Sequence, residues 1–496
     1  MNHARAVLCV AASLFGALLY GVTLAFSGPA IDTMRNTVTA TDGTPIEIGD
    51  GSSLFVFPNE VDASLFGSIM NFGAIIGSLG GGPVNDRIGR KWSLFAASPL
   101  YVAAFLWIGL GTTAWQLILA RFINGLALGL STVSVPTYIG EVSPTKYRGL
   151  LGGFNQVAIT SGALLVYLLG VALRTQALST DPNATPSTFC NWRSLSFICM
   201  IPSGLLGICM FFALESPRWL AEKSRTQEAQ AVLKLLRGAD ENNEEIRVEM
   251  TALEDIHTKN LTQGKSSFKK TIKAMGGIKM QIFIGVMLHV FQQFSGINTV
   301  IFYQTSIFQA AGVDNRDVLS LTVTIALVVS SVVSAGTVDR FGRKILLISA
   351  AAGMCFSAFC EGLFFYLREE LGNQELGWLA ITSAYCYTAS FALAIGGIPW
   401  IMLAELFPDE LRGLCTSLAT AVNWFCSFLI TYFLNDIRDA ISFYGVFWLF
   451  SGVCLTLVIF IICMVPETKG RTFEEIQAYF QHRNRMGGRQ SELSAK

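Results

Sequence analysis

The sequence predicts an all-α membrane protein with 12 transmembrane helices, arranged as two pseudo-symmetric halves of six helices each. Three observations support this fold class. Of the 496 residues, 52% are hydrophobic and only 14% are charged, against about 25% in ordinary soluble proteins. Apolar segments of about 20 residues, the length needed to cross a bilayer, recur along the whole chain. Charged motifs of the first half return in the same order in the second half.

The predicted spans lie on either side of a hydrophilic centre. We divide the chain into a six-helix half at 1–214, a linker with short amphipathic helices at 215–279, a second half at 280–465 and a tail at 466–496. The first span could instead be a signal peptide with Arg5 as its charged flank, but an even number of spans puts both hydrophilic ends on one side. The spans fall at about 7–28, 64–84, 92–111, 114–138, 149–173, 192–214, 280–306, 318–338, 344–367, 376–404, 414–434 and 443–465.

Basic residues predict the orientation in the membrane. The linker 215–279 carries twelve Lys and Arg residues, whereas the loop 29–63 carries only Arg35. The positive-inside rule therefore places both termini and the linker in the cytoplasm. The sequon at Asn183 then lies outside and is a predicted glycosylation site. The few residues before the first span leave little room for a sorting signal, so we expect the plasma membrane.

Composition also excludes several function classes. The formal net charge is zero, which argues against a nucleic-acid partner. Almost all of the 11 cysteines lie in apolar segments, where they behave as small hydrophobic residues. The sequence has no Cys/His spacing typical of a metal site, no nucleotide-binding loop and no nucleophile motif. We therefore expect no enzyme activity, no metal and no cofactor, and the sequence does not fix the oligomeric state.

The chain contains an internal repeat of charged motifs. DRIGRK at 86–91 recurs as DRFGRK at 339–344, EVSPTKYRG at 141–149 recurs as ELFPDELRG at 405–413, and ESPR at 215–218 has its counterpart in PETKG at 466–470. Each copy lies where a span meets the cytoplasm, so acids and arginines can pair across helix ends and separate in another state. Alternatively, the basic residues only anchor the inner face. The predicted switch residues are Asp86, Arg87, Arg90, Glu141, Arg148, Glu215, Arg218, Asp339, Arg340, Arg343, Glu405, Arg412 and Glu467.

The segment 288–308 is apolar enough for a bilayer, yet it carries several amides. Gln292, Gln293 and Asn298 are costly in hydrocarbon unless they find partners. On an unbroken helix, Gln292 and Asn298 would point about 120° apart, whereas a bend at Ser295-Gly296 could turn the amides toward one cavity. Neutral amides both donate and accept hydrogen bonds, which suits an uncharged, polyhydroxylated ligand. The alternative is that they hold helices together.

These motifs closely resemble the sugar porter family of the major facilitator superfamily over nearly the whole chain. DRxGRK in both halves is typical of the superfamily, and QQFSGINTVIFY at 292–303 with PETKGRTFEEI at 466–476 is typical of the sugar porters. RFINGLALGLSTVSVPTYIGEVSP at 121–144 and IPWIMLAELFP at 398–408 resemble animal facilitative glucose transporters. YGVTLAFSGPAI at 20–31 is similar to the branch with insect trehalose and plant vacuolar monosaccharide facilitators.

The resemblance implies the major facilitator fold and a site for D-glucose or another hexose between the halves. It implies that Trp400 supplies a flat apolar face beneath the sugar ring and that the amides bind the hydroxyls. It also implies an outer gate at Phe302 and Tyr303, and it matches Arg121 to the family arginine on span four. The implied sugar-binding residues are Gln156, Gln292, Gln293, Asn298, Trp400 and Asn423.

The chain departs from the family pattern at several positions. Leu327 stands where the family has an asparagine, Ala392 where it has a glutamate, and His289 where glucose carriers have a glutamine. The sugar is therefore left open among glucose, fructose, another hexose, a polyol and trehalose. His289 either contacts the substrate or packs as a buried polar residue.

Energy coupling is predicted from span one. Proton-coupled relatives carry an aspartate where this chain has Thr23, which cannot ionise, so we expect passive uniport. The alternatives are a proton symporter that uses Glu361, the remaining acid of note within a span, and a sugar sensor. The tail is short for a signalling module, which argues against the sensor.

Overall fold

The computed structural model describes most of the chain as a helical bundle. The described residues are 3–34, 37–39, 45–47, 60–144, 147–177, 192–238, 244–263, 275–310, 316–372, 376–470, 475–476 and 478–480. Eleven helices in these ranges are long and apolar enough to cross a membrane. The fold class predicted from composition and periodicity is therefore confirmed.

The first half consists of long apolar helices and one small β-ribbon. The ribbon pairs β1 (Thr37–Thr39) with β2 (Pro45–Glu47) in antiparallel register. A Cβ on Gly73 or Gly77 would overlap a backbone carbonyl of the neighbouring helix, so these glycines allow the close approach of spans two and four. The helices are α1 (Ala4–Ala25), α2 (Ser27–Met34), α3 (Glu60–Ile88), α4 (Arg90–Leu110), α5 (Ala114–Val142), α6 (Arg148–Ala177) and α7 (Trp192–Phe212).

Three short helices follow: α8 (Pro217–Glu222), α9 (Thr226–Arg237) and α10 (Glu244–Gln263). The spacing of apolar residues predicted amphipathic helices here. Arg237 fixes them to the end of α5, because its buried guanidinium donates to the carbonyls of Val142 at 2.9 Å and Ser143 at 3.3 Å. The same side chain pairs with Glu249 of α10 at 3.0 Å.

The second half differs from the first because several of its helices are broken. Glycines interrupt two spans, at Gly296 between α11 and α12 and at Gly396-Gly397 before α16. A π-helical turn, Phe391–Ile395, precedes the second of these breaks. The helices are α11 (Lys279–Phe294), α12 (Ile297–Ala310), α13 (Arg316–Phe341), α14 (Arg343–Glu369), α15 (Gly377–Ser390), α16 (Ile398–Leu406) and α17 (Asp409–Met464).

The 56-residue helix α17 accounts for the last two predicted spans. At 1.5 Å per residue it would be about 80 Å long if straight, more than twice the thickness of a bilayer core. The chain turns at Ser442, which has φ 60° and ψ 171° inside the continuous helical assignment. Spans eleven and twelve therefore meet at a single corner residue.

Each half has an apolar core that lies mainly within it, and among the described residues the most extensive contacts between the halves are those of α3 with α17 and of α6 with α13. Between α3 and α17, Asn71 Nδ2 donates to Thr431 Oγ1 at 3.1 Å. Helix α6 packs against α13, and the Tyr167 hydroxyl of α6 donates to the carbonyl of Ile301 in α12. A space remains between these contacts, bounded by α1 and α6 on one side and by α11 and α12 on the other.

Candidate substrate-binding site

A cavity with about 560 Å³ of empty volume, including its open mouth, lies between the two halves. Helices α1 and α6 form one wall, and the broken helices of the second half form the other. Five of the six predicted sugar-binding residues line it, and Asn423 does not. The side chains that line it include Tyr20, Gln156, Thr160, Gln292, Gln293, Asn298, Leu327, Phe391 and Trp400.

The break between α11 and α12 places the amides on this cavity. Helix α11 ends at Phe294, and Gly296 adopts φ 93°, a conformation that favours glycine. A side chain at Gly296 would also overlap the ring of Phe450. The break redirects the chain, so that Gln292 and Asn298 line the same cavity. The bend predicted at Ser295-Gly296 is therefore present.

The amides form a connected hydrogen-bond network. Asn298 Nδ2 donates to Gln293 Oε1 at 2.7 Å, and Gln293 Nε2 donates to Asn423 Oδ1 at 3.1 Å. Asn423 Nδ2 donates to Gln292 Oε1 at 2.8 Å. Asn423 thus lies behind the cavity wall and orients the two glutamines, and its predicted direct contact with a ligand stays a prediction. The amides are both helix contacts and cavity lining, so the two alternatives drawn from the sequence are compatible.

The network leaves particular atoms for a ligand. Asn298 Nδ2 uses its second hydrogen on Ser427 Oγ at 2.8 Å, which leaves Asn298 Oδ1 as an acceptor. The side-chain amide of Gln156 on the opposite wall has no hydrogen-bond partner within the described residues, and it lies close to Gly396. The cavity therefore presents unused donors on one wall and an unused acceptor on the other. None of the described side chains that line it is charged.

Trp400 lines the cavity, and His289 packs behind it. The two rings meet edge to face, with centroids 4.6 Å apart. His289 is fully buried and does not line the cavity, and its Nδ1 donates to the carbonyl of Gly285 at 2.8 Å. Of the two roles left open by the sequence, the structure favours a packed residue that positions Trp400.

Span ten contributes a feature that was not predicted from the sequence. The π-helical turn and the glycine pair free backbone carbonyls, and Gln292 Nε2 donates to the carbonyl of Ile395 at 2.7 Å. The signal that could have revealed this break is Gly396-Gly397 followed by Pro399. Leu327, where the family has an asparagine, adds an apolar patch to the cavity, and Ala392 is buried in the π-helical turn.

Arg121 is completely buried in the first half, next to Thr23. Its guanidinium donates to the carbonyl of Thr23 at 3.0 Å and to Ser27 Oγ at 2.6 Å. The rings of Phe26 and Phe66 lie 5.7 and 5.3 Å from it. Within the described side chains, no carboxylate pairs with Arg121. Neutral oxygens and aromatic faces therefore stabilise this cation.

At one rim of the first half, beside the short helix α8, Arg90 joins three helices. Its guanidinium pairs with Glu141 at 2.9 Å and with Glu222 at 3.5 Å. Glu215 accepts hydrogen bonds from the backbone N–H groups of Arg90 and Lys91, each at 3.1 Å. Burial raises the pKa of Glu215, and the backbone N–H donors oppose this shift only in part.

The second half repeats this arrangement. Arg343 pairs with Glu405 at 3.1 Å, and Glu467 accepts from the backbone N–H groups of Arg343 and Lys344, each at 3.0 Å. Burial alone would raise the pKa of Glu467, but the backbone N–H donors outweigh it and lower the pKa. Gly89 and Gly342, with φ 100° and 91°, lie beside the capping carboxylates of the two halves.

Not every predicted switch residue takes part in these contacts. Arg87, Arg148 and Arg340 are exposed and form no ion pair with described residues, so the pairing predicted for them is not seen in the described part of the chain. The remaining members make weaker contacts: Asp86 lies 3.8 Å from Arg90, Arg218 lies 3.3 Å from Glu222, and Arg412 donates to the carbonyl of Phe407 at 3.3 Å.

Four predictions fall outside the described part of the structure. Asn183 is not among the described residues. Phe302, Tyr303 and Asp339 lie in helical backbone, but their side chains are not described. The glycosylation site, the outer gate and the role of Asp339 therefore stay predictions.

Comparison with known proteins agrees with this fold. A family model described as "Sugar (and other) transporter" matches residues 8–480. The chain is 32% identical over 497 residues to mouse (Mus musculus) solute carrier family 2, facilitated glucose transporter member 8, covering 97% of this chain and 95% of that protein. It is 33% identical over 482 residues to the facilitated trehalose transporter Tret1 of Apis mellifera ligustica, covering 97% and 89%.

Solved structures give the same result. The proton:xylose symporter XylE bound to 6-bromo-6-deoxy-D-glucose matches with a TM-score of 0.77 and 26% identity, covering 97% of this chain and 100% of that chain. A partially occluded inward-open XylE from E. coli matches with a TM-score of 0.74 and 26% identity, covering 95% and 100%. The chain therefore belongs to the sugar (and other) transporter family, and it is a multi-pass membrane sugar transporter of the major facilitator superfamily rather than an enzyme.

Proposed function

We propose that the protein is a facilitative uniporter that carries a hexose such as glucose across the membrane by alternating access. The observation that carries this proposal is the uncharged, amide-lined cavity between the two halves. Amides that are already oriented by one another lose little freedom when they bind sugar hydroxyls. Trp400 provides an aromatic face for the apolar side of a pyranose ring.

The proposed sugar site combines both halves. Gln156 of the first half faces Gln292, Gln293 and Asn298 of the second, with Asn423 as the residue that orients the glutamines. A sugar held between these walls would draw the halves together, and rocking of one half against the other would then change the open side. In this proposal, Phe302 and Tyr303 close the outer side.

Passive transport is supported by the surroundings of Arg121. A proton symporter needs a group that changes its charge during the cycle. Thr23 stands beside Arg121 in place of the aspartate of proton-coupled relatives and cannot ionise. We therefore expect a carrier that equalises sugar concentrations and does not accumulate sugar.

The rim contacts are the proposed conformational switch. Arg90 with Glu141, and Arg343 with Glu405, would hold the inner ends of the helices together in one state and separate in the other. The excess of basic residues on this side supports cytoplasmic termini and a cytoplasmic linker, with the plasma membrane as the location and Asn183 as an external glycosylation site.

The test is uptake of a panel of radiolabelled sugars into proteoliposomes, with and without an imposed pH gradient. The proposal requires saturable uptake of at least one hexose that ends at equal concentrations inside and outside. Accumulation that collapses with a protonophore would establish symport instead, and Glu361→Gln would then be the first variant to make. Sugar binding without flux would favour a sensor.

A further inference from the structure

Helix α1 contributes a polar group to the central cavity, the cavity between the two halves, that the proposed sugar site does not yet include. Three described residues of α1 line this cavity. Gly21 and Leu24 offer no hydrogen-bonding side chain, whereas Tyr20 carries a hydroxyl group. All of the residues assigned to the sugar above lie on other helices. The hydroxyl of Tyr20 is therefore a cavity group without an assigned role.

This hydroxyl has no hydrogen-bond partner within the described residues. Two other tyrosines near the cavity do use their hydroxyls: Tyr167 donates to the carbonyl of Ile301, and Tyr387 donates to the carbonyl of Ser295. Tyr20 is only half-buried, and its hydroxyl oxygen is not enclosed by protein. Since Tyr20 borders the central cavity, this space is where the hydroxyl can find a partner.

The ring of Tyr20 is held in place by the other half of the molecule. It packs edge to face on Trp424 of α17, with the ring centroids 5.5 Å apart, and it joins the apolar core of the second half. Trp424 is completely buried and directly follows Asn423, which orients the two glutamines. A hydroxyl on a ring that is already fixed loses little freedom when it binds a ligand.

The rest of the first-half wall offers few other polar groups. The Thr160 hydroxyl already donates to the carbonyls of Gln156 at 3.2 Å and Val157 at 3.1 Å. Among the described lining residues of this half, the Tyr20 hydroxyl and the Gln156 amide thus remain for a ligand. A phenol hydroxyl both donates and accepts hydrogen bonds, as a sugar hydroxyl does, so the two can pair in either direction.

We propose that Tyr20 is a further sugar-binding residue that determines specificity. Its hydroxyl forms a hydrogen bond with one hydroxyl of the bound sugar, from the first-half side of the cavity. A sugar that lacks this hydroxyl leaves the phenol unpaired in the closed site, which disfavours the deoxy analogue. This inference rests on the proposed function, namely that the cavity binds a hexose, and it is independent of energy coupling.

The test measures sugar binding to the purified full-length protein by isothermal titration calorimetry. The probes are D-glucose and its monodeoxy derivatives, or another hexose of the uptake panel and its derivatives where that hexose binds more tightly. Tyr20→Phe removes the hydroxyl and keeps the ring that packs on Trp424. We expect the affinity for the parent sugar to fall about 2- to 10-fold, with an unchanged Tm.

The deoxy sugars separate a direct contact from an effect on packing. In the wild type, removal of the sugar hydroxyl that meets Tyr20 should weaken binding about 2- to 10-fold. In Tyr20→Phe the same deoxy sugar should bind as tightly as its parent, whereas the losses at other positions persist. Tyr432→Phe is the matched control, because Tyr432 stacks on Phe428 and does not line the cavity, and it should keep the wild-type pattern.

The outcomes distinguish this inference from the proposed function. A wild-type protein that binds no hexose would refute the proposed function itself. If the wild type binds a hexose and Tyr20→Phe binds it equally well, the role of Tyr20 is refuted and the function stands. A lower affinity with the same loss for every deoxy sugar in both proteins would show that Tyr20 acts through packing alone. Because this comparison is made between sugars on one protein, it remains decisive even if Tyr20→Phe has a lower Tm.

Discussion

Asn298 Nδ2 lies 2.7 Å from Gln293 Oε1, across the break between α11 and α12. The hydrogen bond connects the two halves of a discontinuous span through their side chains, where the backbone helix is interrupted. Gln293 in turn donates to Asn423 of α17 at 3.1 Å. The orientation of the cavity amides therefore depends on three helices at once.

Removing one cavity amide should weaken sugar binding while leaving the protein folded. Gln292→Ala or Asn298→Ala removes one hydrogen-bonding group, worth on the order of 1–3 kcal/mol, or about 5- to 150-fold in Kd. The measurement is sugar binding by the purified protein, with yield and Tm as checks of folding. Asn435→Ala is the matched control, because its amide joins the halves at Ser64 Oγ and does not line the cavity. If both cavity variants bind sugar with wild-type affinity, the amides only hold helices together and do not bind the sugar.

Replacing His289 should weaken sugar binding because it removes a ring that packs against Trp400. His289→Ala removes the edge-to-face partner of the indole, an interaction worth about 0.5–1.5 kcal/mol, and should weaken sugar affinity about 2- to 10-fold. His289→Phe keeps a ring at this position and should restore much of the affinity. Sugar titrations followed by tryptophan fluorescence report both the affinity and the surroundings of Trp400. A loss that is equal in the two variants would show that the imidazole nitrogens matter and the ring packing does not.

The break at Gly296 should tolerate no side chain. In Gly296→Ala, the new methyl group would meet the ring of Phe450 in a backbone conformation that costs non-glycine residues about 1–2 kcal/mol. We expect a lower Tm together with weaker sugar binding, because the amides would shift. Gly452→Ala is the control, since a Cβ there meets nothing within 4 Å. Equal Tm values for Gly296→Ala and Gly452→Ala would show that the break does not require glycine at position 296.

The rim should set the balance between conformations without contacting sugar. Glu405→Ala should slow transport and leave binding from the outer side unchanged, because Glu405 pairs with Arg343 and lies outside the cavity lining. Arg340→Ala serves as the control, since its exposed guanidinium forms no ion pair with described residues. In a double-mutant cycle, Arg343→Ala and Glu405→Ala should be coupled by about 0.5–3 kcal/mol. Purely additive effects on the transport rate would contradict a shared role.

The two capping glutamates should respond in opposite ways to acid. The pKa of Glu467 is lowered in the folded protein, so its contribution to stability is present above the ordinary glutamate pKa and is lost as pH falls through the lowered value. The pKa of Glu215 is raised, so its contribution becomes more favourable as pH falls. Profiles of Tm against pH should therefore be flatter on the acid side for Glu467→Gln and steeper for Glu215→Gln. Identical changes in the two variants would contradict this assignment.

The twelve spans, the repeat and the bend at Gly296 were all predictable from the sequence. Apolar length marks a span without any knowledge of its neighbours, and a glycine between amides marks a place where a helix can break. The same reasoning found the charged motifs. It could not decide which arginine of DRFGRK pairs with Glu405, because Arg340 and Arg343 differ only in their direction around the helix end. The structure selects Arg343.

Side-chain contacts between segments that are far apart in the chain could not be predicted from the sequence. Tyr387 gives no signal that its hydroxyl reaches the carbonyl of Ser295, and Asn423 gives none that it lies behind the cavity wall. His289 could not be placed, since one polar residue on an apolar helix fits either a ligand contact or a packing role. Such contacts depend on how helices pack side by side, which local periodicity does not encode.

The corner at Ser442 has a mechanical consequence. Spans eleven and twelve are joined there without a flexible connection, so neither has the slack to slide along its axis independently of the other. Span eleven carries Asn423, behind the central cavity, while the segment just past the corner carries Phe447, which lines a small apolar pocket on the other face of α12. A tilt of span eleven that changes the central cavity therefore also moves span twelve and the wall of that pocket.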